Sequence, residues 1–569
     1  MTTALHRTAL LGALCAISAG AAASCGSGGS TAATTGGTGP TGAGGMAPTS
    51  SATAGQGGMG GTLFSTATGG PTGPFADFPK DPIVDPSAPA GAAGLFGPAG
   101  SGDPTGGPCL FEPEPGTLFP SNWLRPRFRF NAGPNQNLFE VRLHTSDEIE
   151  DLVVYTANTS WTMPKPMWLS LAQHATSGPI TMTVRGAHFN GTTLDGAPAL
   201  GTSGPMTIAP AEASGAIVYW TTSGGSALKG FQIGDESVGP TLTPQQAKMP
   251  TVGGAVTCIG CHTSTPDGLY AAFTAQGPWG NALASIEQGT VGAQPPFLSA
   301  GALTALTTFG ELGIQTYSKA HWKNGDYTMV TPFDKGASSK LAWFDLQGQS
   351  SAEGQAYGFL KRDGDPRGVG APTWSHDGKT VVYVSTNAET TGRLDNGDAD
   401  LYAVPYNDRQ GGTAIPVPGA ADPTLEEYYP AFSPDDALLA FNRIPNNTNM
   451  YNAAKAEVFV IPSAGGTATR VAANDPPECS GVKSPGVTNS WPKWAPEGTT
   501  VGGKTYYWMI FSSTRGAKGN PQLYVTGVVT EAGKVSTYSA LYLWNQPEDE
   551  NNHTPAWDIF KIPAAPPPQ

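Results

Sequence analysis

A tight turn followed by a β-strand pattern recurs along the second half of the chain. Each copy contains an aromatic residue or a serine, a turn of the Pro-Asp-Gly type, and then a stretch in which apolar and polar residues alternate. Alternation with a period of two residues is typical of a half-buried β-strand. The spacing of roughly 50–65 residues leaves room for three or four strands in each unit. The four clearest copies begin at residues 264–268 (STPDG), 374–378 (WSHDG), 432–436 (FSPDD) and 494–498 (WAPEG).

A second strand pattern follows later in the same units. It reads Asp-Leu-Tyr at residues 400–402, Val-Phe-Val at 458–460 and Leu-Tyr-Val at 523–525. Two weaker copies of the turn, at 321–325 and 555–558, complete the series. Repeats of this length with several strands each predict a β-propeller, whose blades are sheets arranged around a central channel. Counting the units predicts six blades, with the last blade shared between the two ends of the ring.

These residues resemble the repeats of TolB-like β-propellers, in which an aromatic-Ser-Pro-Asp-Gly turn precedes a strand and an Asp-Leu/Ile-Tyr strand follows. The resemblance covers about residues 216–563, and units 374–404 and 432–460 carry it most clearly. It implies a propeller domain at residues 214–563. It implies a fold and not one particular function, because the same ring hosts binding modules and enzymes alike.

A c-type haem attachment signal lies just before the first complete blade. Cys258, Cys261 and His262 form a C-x-x-C-H run, in which two thiols can form thioethers with the vinyl groups of a haem while the imidazole reaches the iron. A small disulfide or a bare pair of thiols is the alternative. Because the segment before an inner strand of a propeller lies on one face near the axis, we expect a covalent haem c at the mouth of the channel.

The second axial ligand decides the chemistry of such a haem. A histidine or a methionine closes the iron for electron transfer, whereas an open position binds O₂ or peroxide. His321 and His553 are expected in the lead-ins of the two blades that flank the first one, and Met249 precedes Cys258 by nine residues. These three residues are therefore the candidate second ligands. For each of them an ordinary structural role, at the channel mouth or in loop packing, is the alternative.

Residues 1–24 carry an export signal. His6 and Arg7 precede an apolar run that is too short to span a membrane. The run leads to Ala22-Ala23-Ser24-Cys25, which resembles a bacterial lipoprotein box and predicts lipidation of Cys25. We therefore expect a protein of the bacterial cell envelope, held by a lipid in the outer membrane on its periplasmic or cell-surface side. Ordinary cleavage, which gives a soluble exported protein, is the alternative.

The segment after the signal, residues 25–107, consists mainly of Gly, Ala, Ser, Thr and Pro and has almost no charge. It offers too little apolar surface to offset the entropy of ordering it, so a disordered tether is predicted. Residues 108–213 show short alternating strands between turn clusters, the pattern of an immunoglobulin- or fibronectin-like β-sandwich. Helical periodicity is scarce throughout. The predicted fold class is all-β, a sandwich followed by a six-bladed propeller, with residues 564–569 as a tail.

The cysteine count predicts one disulfide. Cys15 leaves with the signal, Cys25 takes the lipid and two further cysteines belong to the haem motif, so Cys109 and Cys479 remain. An exported protein with two spare cysteines is expected to pair them. Such a bond links the start of the sandwich covalently to a late part of the propeller.

Charge narrows the choice of partners. The formal net charge is -14, and no cluster or stripe of Lys and Arg is present, which argues against nucleic acid and against an anionic membrane surface as binding partners. Asp395, Asp398 and Asp400 concentrate short oxygen ligands in one loop, which suits Ca²⁺. The loop lacks the bidentate Glu of an EF-hand, and a solvated hairpin turn is the alternative.

No catalytic residue is assigned, because neither a G-x-S-x-G elbow nor an H-E-x-x-H run is present. The sequence predicts an envelope lipoprotein whose propeller carries one haem for electron transfer or redox sensing, working with an envelope protein or redox partner. One alternative is a non-enzymatic TolB-like binding scaffold without haem. The other is a haem-dependent oxidoreductase or peroxidase-like enzyme.

Overall fold

A computed structural model of the chain describes residues 73–176, 178–248, 256, 258–275, 280–308, 313–323, 325–334, 336–387, 399–445, 450 and 453–564. The export signal, Cys25 and the tether up to residue 72 lie outside these residues, and so do Met249, Asp395, Asp398 and the end of the tail. Strands and the turns between them make up most of the described residues, so the predicted all-β class is confirmed.

The first folded unit is a sandwich of two sheets. Its elements are β1 (Ile83–Val84), β2 (Cys109–Glu112), β3 (Thr117–Phe119), β4 (Arg127–Asn131), β5 (Leu138–His144), β6 (Leu152–Thr156), β7 (Ser160–Thr162), α1 (Lys165–His174), β8 (Ile180–Ala187) and β9 (Ala199–Ile208). One sheet has the order β1-β6-β5-β8-β9-β3, and the other has the order β2-β4-β7. Phe130 of β4 and Phe139 of β5 meet between the sheets, with ring centroids 4.9 Å apart. The pairs β1/β6 and β3/β9 are parallel, and the remaining pairs are antiparallel.

The sandwich begins earlier than the sequence predicts. Residues 73–107 belong to the folded unit, so the prediction of a disordered tether is wrong for this part of the segment. Phe78, Ala92 and Phe96 are buried, and β1 adds a parallel strand to the sheet beside β6. The few aromatic residues of this stretch suffice because they bury against a sheet that already exists, and this removes apolar surface from water without a core of their own.

Helix α1 is a second feature that the sequence analysis missed. It starts after Pro164, where the absent N–H of a proline at the first positions costs nothing. Its inner side buries Trp168, Leu171 and Ala172, and the indole N–H of Trp168 donates to the carbonyl of Trp123 at 2.9 Å. Ten residues with three buried positions give too short a periodic signal to stand out in a chain rich in Gly and Pro.

The second unit consists of sheets arranged as blades. Its elements are β10 (Ala216–Thr221), β11 (Ala227–Gln232), β12 (Gly239–Leu242), β13 (His262–Ser264), β14 (Tyr270–Ala275), β15 (Gly280–Ser285), α2 (Ala300–Thr308), β16 (Thr316–Lys323), β17 (Asp326–Phe333), β18 (Lys340–Asp345), β19 (Tyr357–Phe359), β20 (Lys361–Asp363), β21 (Gly368–Trp374), β22 (Thr380–Thr386), β23 (Asp400–Pro405), β24 (Gly411–Thr413), β25 (Ile415–Pro416), β26 (Leu425–Phe432), β27 (Leu438–Pro445), β28 (Glu457–Pro462), β29 (Thr469–Arg470), β30 (Ser490–Trp494), β31 (Thr499–Val501), β32 (Lys504–Ser513), β33 (Gln522–Glu531), β34 (Lys534–Thr537), β35 (Leu541–Tyr542) and β36 (Asn552–Asp558).

Six sheets of the described residues share one plan, in which consecutive antiparallel strands follow an inner strand. Their orders are β13-β14-β15, β16-β17-β18-β19, β21-β22-β23-β25, β26-β27-β28-β29, β30-β32-β33-β34 with β31 and β35 added, and β36-β10-β11-β12. The last sheet joins the two ends of the unit, with Ala216 of β10 opposite Asp558 of β36. The prediction that the ends share one sheet is therefore confirmed. A short parallel pair, β20 and β24, lies beside these sheets.

The recurring turn has the same physical basis in three of its four clear copies, and the copy at 494–498 differs because Ala495 replaces the hydroxyl residue. In the copy at 374–378, the hydroxyl of Ser375 donates to Asp377 at 2.7 Å, and the N–H of Gly378 donates to the carbonyl of Ser375 at 3.0 Å. The last residue of the turn has a positive φ, 79° at Gly378 and 60° at Asp436. Glycine takes this conformation without strain, and Asp is one of the few other residues that tolerate it. The repeat is thus a turn that fixes where each inner strand ends.

The sandwich and the propeller are joined by buried contacts. Cys109 and Cys479 form a disulfide with an S–S distance of 2.02 Å, which is the pairing that the cysteine count predicts. Arg515 of the propeller donates to Glu114 of the sandwich at 2.8 Å, and both side chains are almost fully buried. The helices of the described residues include none that is long and apolar enough to cross a membrane.

Candidate functional site

One cavity lies on the axis of the ring. It has a volume of about 120 Å³ and is lined by residues of the six inner strands β13, β16, β21, β26, β30 and β36. A cavity that holds a drug-sized ligand has a volume of about 300–1,000 Å³. The channel therefore admits a few water molecules or a small ion, and a haem has no room inside it.

The C-x-x-C-H run leads directly into β13, the inner strand of the first complete blade. Cys258 is buried, and its Sγ atom lies 3.9 Å from the hydroxyl of Ser226, in the turn between β10 and β11. The same hydroxyl accepts a hydrogen bond from the N–H of Ile259 at 3.0 Å and donates to the carbonyl of Ile259. Ser226 thus holds the first half of the motif against the blade that closes the ring.

Cys261, the second cysteine of the motif, has a reduced thiol. It is half-buried, and it packs with Ile314 against a core cluster that contains Ala371, Tyr429 and Trp491. The rings of Tyr429 and Trp491 stack with centroids 3.8 Å apart. Both residues have a positive φ, 52° and 61°, at bulges where the inner strands β26 and β30 shift register before a proline. The second cysteine of the motif therefore packs against a core cluster that contains two stacked aromatic rings.

His262 begins β13, and its side chain lies between two blades. The imidazole is buried, and Nε2 lies 3.1 Å from the carbonyl oxygen of Val218 in β10. Nδ1 is also buried and has no hydrogen-bond partner. Burial lowers the pKa of His262 to about 4, the bond to Val218 opposes this shift, and the charge of Lys493 adds to it. The ring is therefore neutral at physiological pH, with Nε2–H donating to Val218 and the lone pair of Nδ1 unused.

Lys493 is the functional residue that the sequence analysis missed. It lies on β30, lines the axial cavity and interacts electrostatically with both Cys261 and His262. Burial lowers its pKa to about 8, and Cys261 opposes that shift. The signal was present in the repeat, because the other three clear copies hold Thr263, Thr373 and Ala431 at the position where this unit has a lysine. A charged residue at a repeat position that is uncharged in the other clear copies distinguishes Lys493.

The residues of the motif fit a haem iron by their chemistry. A metal-ligating histidine characteristically donates its other ring N–H to a backbone carbonyl, which fixes the tautomer and aims the lone pair. The bond from His262 to Val218 has this form, and an orphaned buried nitrogen otherwise costs about 1–3 kcal/mol. Cys258, Cys261 and His262 are thus the residues that would hold the group, and Cys258, which is disulfide-bonded in this structure, would have to be reduced before it could form a thioether. The axial cavity is too small for the macrocycle and Nδ1 of His262 is buried, so binding of the group would require the segment that leads into β13 to move outwards.

Two of the predicted second ligands, His321 and His553, are described, and each packs against an aromatic ring of its surroundings. His321 lies near the far end of β16, seven residues beyond Ile314, a distance of roughly 20 Å along a strand. Its Nδ1 lies 2.7 Å from Asp326, and its ring stacks on Trp374 at 4.7 Å. The predicted position of His321 in a lead-in beside the motif is therefore wrong, because β16 starts earlier than the weak repeat suggests.

His553 lies at the correct end of its strand but points into its own blade. It is buried, and its ring centroid is 4.4 Å from that of Trp220 in β10. Burial lowers the pKa of His553 to about 4. Met249, the third candidate, lies outside the described residues and stays a prediction.

The proposed calcium loop is described only at its last residue. Asp400 forms an ion pair with Arg367 at 2.8 Å, while Asp395 and Asp398 lie outside the described residues. Arg367 already balances the charge of Asp400, and this ion pair competes with binding of calcium by Asp400.

The comparisons with known proteins return distant likenesses of fold. No family model and no curated protein matches the sequence. Among solved structures, an ancestral GH74 enzyme has a TM-score of 0.34 at 10% identity, over 59% of this chain and 40% of that one. The hydrazine synthase of Kuenenia stuttgartiensis has a TM-score of 0.29 at 11% identity, over 55% of this chain and 89% of that one. The dihydro-heme d1 dehydrogenase NirN in complex with DHE has a TM-score of 0.25 at 11% identity, over 73% and 74% of the two chains. The chain thus spans less than half the length of the GH74 enzyme, and likenesses this weak carry no argument about function.

Proposed function

We propose that the protein carries one covalent c-type haem on Cys258 and Cys261 and uses it for electron transfer or redox sensing. The observation that carries the proposal is the C-x-x-C-H run at the start of an inner strand, with one nitrogen of His262 tied to Val218 and the other without a partner. When bound, such a group supplies a one-electron couple.

The residues around the motif support that role. The two cysteines attach the group, and the carbonyl of Val218 holds the imidazole of His262 in a single tautomer. Burial keeps this imidazole neutral, as a metal ligand must be. Tyr429 and Trp491 stack in the core cluster against which Cys261 packs, and Lys493 places a positive charge beside the motif.

The setting of the protein is part of the same proposal. Export, lipidation of Cys25 and attachment to the outer membrane of a bacterial envelope agree with an oxidising compartment, in which Cys109 and Cys479 are paired. A redox partner in the envelope and a calcium ion at Asp395, Asp398 and Asp400 are further proposals that rest on the sequence alone.

The decisive experiment is expression of the full chain together with a c-type maturation system. The purified protein is expected to be red, to gain the mass of one haem, and to keep its colour through acid-acetone extraction. Cys258→Ser and Cys261→Ser should each break one thioether and shift the haemochrome spectrum. The double variant Cys109→Ser/Cys479→Ser is the matched control, because it removes two cysteines far from the motif and should retain the haem.

A colourless protein of unmodified mass would overturn the proposal and leave the non-enzymatic TolB-like scaffold. A haem-dependent oxidoreductase or peroxidase-like enzyme is the second candidate function, and the pairing of His321 with Asp326 supports it, because that histidine is then not available as a second ligand. The spectrum of the reduced protein with carbon monoxide separates these two. A shift of the Soret band shows an open iron, and an unchanged spectrum shows a closed one with Met249 as the remaining candidate ligand.

A further inference from the structure

Three metal-ligating side chains converge at the edge of the sandwich, far from the C-x-x-C-H motif. They are Asp77 in the segment before β1, Glu148 in the loop between β5 and β6, and His174 at the end of α1. One ligand atom from each lies within 4.8 Å of the others. Nε2 of His174 is 2.9 Å from Oδ2 of Asp77 and 3.0 Å from Oε1 of Glu148.

The hydrogen bonds of this cluster leave a buried carboxylate oxygen without a donor. A single Nε2–H serves one acceptor well, yet two carboxylate oxygens approach it at nearly the same distance. Oδ2 of Asp77 is buried and receives no hydrogen bond. In the described part of the chain, no lysine or arginine pairs with either carboxylate, and the side chain of Glu148 is 0% exposed. Two negative charges therefore meet at most one positive charge in a buried place, and burial of an uncompensated charge is costly.

The second carboxylate oxygen of Asp77 and that of Glu148 each accept hydrogen bonds from a neighbour. The hydroxyl of Ser170 donates to Oδ1 of Asp77 at 2.8 Å. The backbone N–H groups of Asp77 and Phe78 donate to Oε2 of Glu148 at 2.8 and 3.3 Å. Phe75 stacks on the ring of His174 with centroids 3.6 Å apart. Partners of this kind orient the ligands of metal sites and leave the inward atoms aimed at one point.

We propose that Asp77, Glu148 and His174 bind one divalent cation of the zinc class. An imidazole nitrogen with two carboxylates suits zinc, whereas calcium and magnesium prefer sites built of oxygen. Bonds of about 2.0–2.2 Å place tetrahedral ligand atoms about 3.3–3.6 Å apart, so the pairs now at 2.9 and 3.0 Å need to open by about 0.3–0.7 Å. A water molecule completes the shell, since His174 and Asp77 keep 16% and 20% of their side chains exposed.

The cation would cross-link two parts of the sandwich that are far apart in sequence. Asp77 belongs to the first described residues of the chain, whereas Glu148 and His174 belong to the body of the sandwich. A metal bonded to all three fixes the segment before β1 to the rest of the sandwich. It also reinforces the short pairing of β1 with β6. The site is independent of the haem, because it shares no residue with the motif.

The test measures zinc in the untagged full-length protein after dialysis against EDTA and reloading with zinc sulfate. The wild type is expected to hold one equivalent more zinc than Asp77→Asn or His174→Gln. Ser170→Ala should keep the site with an affinity about 10- to 100-fold lower, because it removes only an orienting hydrogen bond. His144→Asn is the matched control, since His144 pairs with Asp151 at 2.8 Å on the surface, and it should bind zinc as the wild type does.

A second readout guards against variants that fail to fold. In the wild type, zinc should slow proteolytic cleavage near residues 73–85, and EDTA should reverse the effect, with circular dichroism unchanged in all variants. Equal zinc content in the wild type and Asp77→Asn overturns the proposal. So does cleavage of the wild type at the same rate with zinc and with EDTA, which leaves an ion-paired histidine as the whole explanation.

Discussion

The ion pair between Glu114 and Arg515 should make a large contribution to the stability of the joined domains. Nη1 of Arg515 lies 2.8 Å from Oε1 of Glu114, and the two side chains are 3% and 5% exposed. Arg515 also donates to Asn489 at 2.9 Å and to the carbonyl of Ala473, while Glu114 accepts from the N–H of Ala540 at 3.2 Å. Burial raises the pKa of Glu114, and Arg515 opposes that shift. Each charge is therefore tolerated only because the other is present.

Glu114→Gln keeps the shape of the side chain and removes the negative charge. The guanidinium is then buried without its counterion, which costs about 3–5 kcal/mol. Lys504→Met is the matched control, because Lys504 and Glu531 are 3.7 Å apart with 45% and 59% of their side chains exposed, and such a pair contributes about 1 kcal/mol or less.

Urea unfolding of the disulfide-intact protein, followed by tryptophan fluorescence, measures the difference. The midpoint should fall much further for Glu114→Gln than for Lys504→Met. Adding Arg515→Met to Glu114→Gln should cost less than the sum of the single changes, because the stranded charge is gone. A loss below about 1 kcal/mol in Glu114→Gln would refute the reasoning, since it would mean that Arg515 needs no counterion in that position.

Three further outcomes are expected. Removing the disulfide with Cys109→Ser/Cys479→Ser should lower the free energy of unfolding by about 2–5 kcal/mol, since 370 residues separate the two cysteines, and equal urea midpoints would contradict this. Burial holds the pKa of His553 near 4 in the folded state against about 6.5 when unfolded, so its stabilisation is complete above pH 6.5 and is lost as the pH falls towards 4. This amounts to about 2 kcal/mol at pH 5, and His553→Asn should reduce the pH dependence of urea unfolding by that amount, whereas an unchanged dependence would count against the burial argument. Lys493→Met should lower the reduction potential of the attached haem in a spectroelectrochemical titration, because the lysine charge favours the reduced iron, and equal potentials would show that Lys493 is remote from the haem.

The sequence by itself determined the architecture of the second unit. Turns such as 374–378 are local, since Ser, Asp and Gly within five residues supply the hydrogen bonds and the positive φ that the turn needs. The alternating strands that follow repeat at a regular spacing, so the stacking of similar sheets could be inferred without knowing any long-range contact. The pairing of Cys109 with Cys479 followed from counting in the same way.

The direction of individual side chains was decided only by the tertiary structure. Cys261 and His262 are adjacent in sequence, yet Cys261 packs against a core cluster that contains Tyr429 and Trp491, whereas His262 bonds to Val218 of a neighbouring blade. His321 was misplaced because its strand begins several residues before the recognisable part of the repeat. A shift of one or two residues moves a side chain to another face or another end, and composition does not encode it.

Contacts between segments that are far apart in the chain could not be predicted from the sequence either. Residues 73–107 have the composition of a tether, and they fold because an existing sheet offers them apolar surface. Asp77, Glu148 and His174 come from a loop-like segment, a turn and a helix end, and no local spacing connects them. The repeat therefore predicted the ring and the place of Cys258 and Cys261 just before its first complete blade. Which groups face the motif, and the three ligands that meet at the edge of the sandwich, depend on packing between segments that the sequence keeps far apart.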